Sequence, residues 1–225
     1  FKNGVKNLIF LGSSCVYPII TNRKIRENDL LTSKLENTNE PYAIAKISGI
    51  KLCESFNRQY NTNYKVVMPC NLFGPGDNFH PTNSHVMAAI IRKVYMAKLH
   101  REKKILLWGN GFPKREFLHV DDLAEAAISI GNLSKKKFEK IVNNKGCHIN
   151  VGYGKDFSIK QIANLICNSL NYKGKIDFDK SKPNGVKRKL LNSEKFKKIN
   201  TFKLQKFEYV LDKYLKEIWK RKKLF

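Results

Sequence analysis

The sequence is short of acid: 19 Asp and Glu stand against 43 Lys and Arg in 225 residues, a formal net charge of +24. Other features are missing too. No apolar run approaches the ~20 residues that cross a bilayer, so neither a spanning helix nor a membrane partner is expected. The opening Phe1-Lys2-Asn3-Gly4 has no charged-then-apolar leader pattern. An initiator Met is absent, and the natural start is expected to lie outside this sequence. No Cys-x-x-Cys pair of a zinc or redox site occurs. Cys15, Cys53, Cys70, Cys147 and Cys167 form an odd, widely spaced set, as expected of reduced thiols in a cytoplasmic protein. The aromatic-interleaved motif of an RNA-binding sheet is also lacking. The charge is therefore read as spread over solvated faces, with no specific nucleic-acid partner, because charge alone supplies only a non-specific attraction. Basic residues gather in Lys135-Lys136-Lys137, Lys187-Arg188-Lys189 and Lys220-Arg221-Lys222-Lys223, and two of these runs read as a loop and a C-terminal tail.

What is present is a core-forming sequence, 42% hydrophobic, in which apolar runs alternate with helical periodicities. Residues 7–12 and 65–70 read as buried parallel strands. From Pro41 a helix is signalled, with Ile44, Ile47, Ile50, Cys53 and Phe56 recurring at helical spacing. Asn71–Pro81 is rich in Gly, Pro and Asn and is expected to be a loop. Further helices are expected over His85–Leu99, Val120–Ile130, Ser158–Leu170 and from about Asn200, the last basic and amphipathic. Lys104–Trp108 and His148–Val151 read as strands, with Gly109-Asn110-Gly111 turning out of the first. His119, Asp121 and Asp122 resemble a metal cluster but are read as a strand end and a helix start, with no metal expected. The pattern is α/β, with ligands expected beyond the carboxyl ends of the strands.

Tyr42 and Lys46 lie four apart on the expected helix, and therefore on one face. A phenol with a pKa of about 10 is a poor acid–base at neutral pH. A neighbouring ammonium favours the phenolate and brings it towards the working range. Alone the spacing often arises by chance, so the context has to carry it. A strand ending in Gly12-Ser13-Ser14-Cys15-Val16-Tyr17-Pro18 precedes the helix, and a hydroxyl there could hydrogen-bond a substrate carbonyl beside the phenol. Pro69-Cys70-Asn71-Leu72-Phe73-Gly74-Pro75 and Arg115-Glu116-Phe117-Leu118-His119-Val120-Asp121-Asp122 follow.

From about Asn7 to about Leu191, the segments GSSCVYP, EPYAIAK, CNLFGPGDNFHPTNSHV and REFLHVDD resemble the extended short-chain dehydrogenase/reductases, specifically their GDP-L-fucose synthase branch. The resemblance implies an NADP(H)-dependent epimerase and reductase that converts GDP-4-keto-6-deoxy-D-mannose to GDP-L-fucose. It implies Tyr42 as the acid at the C4 oxygen, Lys46 on the nicotinamide ribose, and Ser13 on the C4 carbonyl. Cys15 and His85 are implied as the epimerising acid–base pair, chemistry that suits a thiolate and an imidazole near neutral pH. Leu11, Gly12, Ser13, Ser14, Lys46, Pro69, Cys70, Asn71, Leu72 and His85 would line the cofactor. Lys93, Trp108, Arg115 and Asn184, within the Lys182–Gly185 loop, would hold the GDP-sugar, and Arg115 suits a diphosphate because guanidinium binds oxyanions bidentately. A homodimer of the full-length family is also implied.

Each residue has a plainer reading: Cys15 as a small buried residue, His85 as a helix cap, Trp108 and Phe117 as core, Arg115 paired with Glu116 or a nearby Asp. The family pattern is also departed from. Nothing before Ser13 supplies a glycine-rich pyrophosphate turn, and Gly152-Tyr153-Gly154 does not complete one. Asn184 stands where the family usually has Asp. The expected architecture is the C-terminal part of a Rossmann-type doubly wound parallel sheet, residues 1–75, followed by a mainly substrate-binding domain, 76–225. Residues 115–153 would return to the first sheet. A sheet lacking its first strands would expose an apolar edge, and the chain alone is expected to bind NADPH poorly. Two rivals stand beside this reading: another nucleotide-sugar epimerase or dehydratase, and a non-catalytic basic binding module. Dehydratases carry an acidic pair where this chain has Ser14-Cys15.

Overall fold

A computed structural model describes residues 1–143, 146–199 and 202–221. Nine strands and seven α-helices are described. The strands are β1 Asn7–Leu11, β2 Asn63–Pro69, β3 Asn71–Phe73, β4 Lys104–Trp108, β5 Lys114–His119, β6 His148–Val151, β7 Asp156–Ser158, β8 Lys175–Asp179 and β9 Arg188–Lys189. The helices are α1 Glu40–Tyr60, α2 Val86–Leu99, α3 Val120–Gly131, α4 Lys135–Val142, α5 Ile159–Ser169, α6 Glu194–Ile199 and α7 Phe207–Arg221.

The first sheet is parallel, in the order β1-β2-β6, with Phe10 opposite Val66 and Val67 opposite Ile149. β2 is buried over most of its length, as its near-continuous apolar run dictates. One of its buried residues is not apolar. Lys65 is 1% exposed, and its ammonium donates to the carbonyls of Gly131 at 2.8 Å and Leu133 at 2.5 Å. The orphan carbonyls at the end of α3 thus offset the cost of burying the charge. β1 is the edge: Leu8, Ile9 and Leu11 are 42%, 37% and 47% exposed.

α1 starts with Pro41 in its first turn and ends at Asn61 in the left-handed conformation, φ 53°. Ala43, Ile47, Ile50 and Cys53 face inward. This core continues through Val66, Met68, Ile149, Val151, Ala126, Ile130 and Phe196.

A second sheet is built on β5, which pairs β3 and β9 in parallel and β7 antiparallel. β4 and β8 form a separate parallel pair. A second core unites α2, α5 and α7 over these strands, with Phe73, Met87, Ile91, Phe117, Ile166, Phe207, Leu211 and Leu215 buried. Ser158 opens α5 with a capping box, its hydroxyl accepting from Gln161 N–H while the Gln161 amide oxygen accepts from Ser158 N–H. His119 ends β5 and caps α3, its ring nitrogen accepting from Asp121 N–H at 3.3 Å.

Several expectations need correction. Asn71–Phe73 is a strand, because its backbone pairs with Phe117–His119 before the glycines begin. Lys135–Lys137 opens α4, capped by Ser134, and Arg188–Lys189 is a strand on β5. The final helix begins at Phe207, and Asn200, Lys222 and Lys223 lie outside the described residues. As its amphipathic pattern suggests, α7 packs on the core, with Phe207, Val210, Leu211, Tyr214 and Leu215 buried. Trp108 is not core, at 62% exposure, whereas Phe117 is, at 1%. Among the described residues no helix is long and apolar enough to cross a membrane.

Candidate active site

The turn after β1 is the nearest thing to a focus. Gly12 N–H still donates to Val67 O at 2.8 Å, continuing the parallel ladder. Ser13 then caps a 3-10 turn over Ser14–Val16, its Oγ accepting from Cys15 N–H at 3.1 Å. That bond uses a lone pair and leaves the hydroxyl proton free to donate. Ser14 is buried. The Tyr17 hydroxyl donates to Asn150 Oδ1 at 2.7 Å, and burial pushes its pKa well up.

α1 packs against this turn and the end of β1. Lys46 Nζ donates to Leu11 O at 2.9 Å and lies 5.1 Å from the Phe10 ring and 5.8 Å from the Tyr42 ring. Tyr42 is 48% exposed, its phenol open to solvent. The pair therefore stands at the carboxyl end of β1, where α/β sheets bind ligands.

Cys15 is half-buried, and Lys189 Nζ is 3.9 Å from its sulfur. Lys189 also meets Glu36 at 3.6 Å. It was not among the expected site residues, and its run was read only as one of three basic clusters. The parallel register sets Arg115 opposite Lys189, so both side chains leave the sheet on the same face. Arg115 donates to the carbonyls of Lys114 at 2.9 Å and Val186 at 2.6 Å, not to Glu116 or an Asp. Glu116 points to the opposite face of the strand. Burial lowers the Arg115 pKa, and the nearby Glu36 and Cys15 oppose that.

The other expected residues are more dispersed. His85 takes the N-cap position of α2 without a side-chain cap bond. Nearby, the Asp77 carboxyl is raised chiefly by burial, against which the Asn78 N–H and then His85 act. No hydrogen bond joins His85 to Cys15 among the described residues. Lys93 Nζ donates to Leu106 O at 2.7 Å, and burial holds its pKa below the usual lysine value. Trp108 lies exposed with Lys182 Nζ 5.8 Å from its ring. Asn184 Oδ1 accepts from Asn110 N–H at 2.8 Å, so its carbonyl clasps the Gly109–Gly111 turn.

The segment from Pro69 to Leu72 leaves β2 beside β6, where Cys70 N–H donates to Val151 O at 3.1 Å. Asn71 Nδ2 donates to Glu116 O at 3.0 Å. Burial, then Glu116, pushes the Cys70 thiol well up, so it is a poor nucleophile. Among the described residues no group of three His, Cys, Asp or Glu could hold a metal ion.

A parallel sheet carrying Tyr42, Lys46, Ser13 and Cys15 at the carboxyl-end side of its edge strand is a Rossmann-like α/β fold. The chain belongs to the NAD dependent epimerase/dehydratase family, whose model matches residues 1–152. It is similar to GDP-L-fucose synthase of Escherichia coli (strain K12), 50% identical over 191 residues, 85% of this chain and 60% of that protein. The chain thus spans about 60% of the length of curated relatives it matches. Among solved structures it resembles a GDP-6-OMe-4-keto-L-xylo-heptose reductase from C. jejuni, with a TM-score of 0.89 and 31% identity, covering 99% of this chain and 72% of that one. It also resembles a GDP-L-fucose synthetase from Naegleria fowleri bound to NADP, with a TM-score of 0.86 and 27% identity, covering 98% of this chain and 68% of that one.

Proposed function

We propose that this chain carries the acid–base and substrate-holding residues of an NADP(H)-dependent epimerase and reductase that converts GDP-4-keto-6-deoxy-D-mannose to GDP-L-fucose. The observation that carries the reading is Lys46 bonded to Leu11 O with the Tyr42 ring 5.8 Å from its ammonium, and Ser13 and Cys15 on the turn that follows β1.

The residues suit the nicotinamide end of the cofactor. An ammonium has three donors, and Leu11 O engages one of those on Lys46, leaving two for ribose hydroxyls. The backbone from Leu11 to Ser14 and from Pro69 to Leu72 would flank it at adjacent strand ends, with His85 across the cleft. When bound, NADPH would supply a hydride to C4 of the sugar. Tyr42 would give its proton to the C4 oxygen, and Lys46 would favour the phenolate left behind. The free hydroxyl proton of Ser13 would bond the C4 carbonyl. Protons at C3 and C5 are acidified by that carbonyl, and Cys15 and His85 would exchange them. Arg115, with Lys93, Trp108 and Asn184, would hold the GDP portion, the diphosphate meeting the guanidinium.

The family's homodimer is proposed to form through the outer face of α1, where Ile44 and Leu52 are 51% and 59% exposed. A reducing, cytoplasmic setting is proposed from five cysteines that are all free.

The test is NADPH oxidation with GDP-4-keto-6-deoxy-D-mannose, by the chain as given and by one extended with the preceding segment of the E. coli relative, each beside Tyr42→Phe. Turnover by the extended chain, reduced roughly 10²–10⁴-fold in Tyr42→Phe, is expected. Absence of turnover by both folded proteins would sink the reading.

A further inference from the structure

We propose that Glu116 is a positioning residue: its carboxylate, clamped between Gly154 and Leu191, holds the strand that brings Lys189 to Cys15. The inference rests on the reading of Cys15 as an acid–base group.

Glu116 is 1% exposed. Its Oε1 accepts from Gly154 N–H at 2.6 Å and its Oε2 from Leu191 N–H at 3.0 Å. The space for it is built by Gly152, since a Cβ there would stand 2.4 Å from Oε1. Gly154 offers its N–H from a left-handed backbone, φ +90°. The Gly152-Tyr153-Gly154 sequence, too short for a dinucleotide turn, is thus the other half of a carboxylate cradle. No cation forms an ion pair with Glu116 among the described residues. Burial raises its pKa to about 7; the two N–H groups oppose that, Asp156 adds to it, and Lys24 lowers it slightly. Cys70 also faces it, its own thiol raised in part by Glu116.

An unpaired buried carboxylate is costly, so its retention calls for a reason. The geometry supplies one. The two oxygens join the Gly154 turn to Leu191, which is also bridged to Ile25 through Ile25 N–H to Leu190 O at 2.8 Å and Asn192 N–H to Ile25 O at 2.7 Å. Leu191 is two residues from Lys189, and Lys189 is the register partner of Arg115. The Glu116 bond to Leu191 thus adds to the β5 pairing and the Ile25 bridge in setting where the Lys189 ammonium sits, 3.9 Å from the Cys15 sulfur. An ammonium beside a thiol favours the thiolate, the reactive form. A glutamine of the same size could accept only one of the two N–H groups and would turn its own NH2 towards the other.

The test reads Cys15 without needing turnover. Cys53, Cys70, Cys147 and Cys167 are buried, so iodoacetamide labelling of the native protein, followed by peptide mass analysis, reports Cys15. Glu116→Gln and Lys189→Met should each slow labelling at pH 7.5 by roughly threefold or more. The double variant should be no slower than Lys189→Met, because Glu116 acts through Lys189. Labelling followed across pH should differ between wild type and Lys189→Met, and this comparison stands whether or not Glu116→Gln folds. A Glu116→Gln protein that loses stability but labels at the wild-type rate would make the carboxylate merely structural and overturn the proposal. So would additive slowing in the double variant, or a wild-type profile unchanged in Lys189→Met. Labelling that follows these expectations while the folded extended chain also shows no NADPH turnover would refute the reaction and leave the positioning role standing.

Discussion

The flank formed by β1 and the core around α7 treat similar side chains in opposite ways. Leu8 and Leu11 on β1 are 42% and 47% exposed, whereas Leu211 and Leu215 on α7 are 1% and 0% exposed. The contrast is one of partners, not of hydrophobicity. Among the described residues β1 pairs with β2 alone, while α7 is enclosed by α5, β5 and the aromatic rings of Phe73, Phe117 and Phe157. The proposed proton-transfer groups are carried beside the open flank, and the closed core supports the region read as holding the GDP-sugar.

Mutations can break or sharpen that contrast. Phe207→Ala or Leu215→Ala should each cost about 3–5 kcal/mol in urea unfolding, because the cavity cannot collapse inside a closed core. Glu116, between the two regions, should make stability depend on pH. Its folded pKa of about 7 lies above the ordinary 4.5, so the native state binds the extra proton between those values. Stability from this group is therefore fully present below about pH 4.5 and falls as pH rises through about 7, by at most ~3 kcal/mol. Glu116→Gln should flatten that slope relative to wild type, a comparison that cancels the opposing effect of His148, whose pKa burial lowers. Lys65→Met should cost about 1–3 kcal/mol, since Gly131 and Leu133 would lose their donor. Leu8→Ala should cost less than about 1 kcal/mol. If Leu8→Ala proved as damaging as Leu215→Ala, the flank would not be open in solution and the comparison would fail.

Much of the fold was legible because local signals were strong. Lys104–Trp108 and His148–Val151 form strands over the expected residues, and Pro41 starts α1 as its fixed backbone angle suggests. What stayed hidden depends on distant partners. Asn71–Phe73 is a strand only because β5 lies beside it. Arg188–Lys189 sits in a run of cations whose composition says loop, and pairing with β5 overrides that. For the same reason Lys189 escaped notice as a neighbour of Cys15. Glu116 was invisible in a different way: its meaning lies in N–H groups at residues 154 and 191, and no local pattern announces them. Tyr42, Lys46, Ser13 and Cys15 could be picked out together because each stands in a distinctive local motif.

The Tyr17 bond to Asn150 has a mechanical consequence. Asn150 belongs to β6 and also donates to the carbonyls of Ile25 and Asn192. The turn carrying Ser13 and Cys15 is therefore moored to the strand on the far side of β2, not only to the edge strand from which it emerges. β1 could fray, or accept a new neighbour along its open side, while the hydroxyl and the thiol kept their station like a gate hung from the far post.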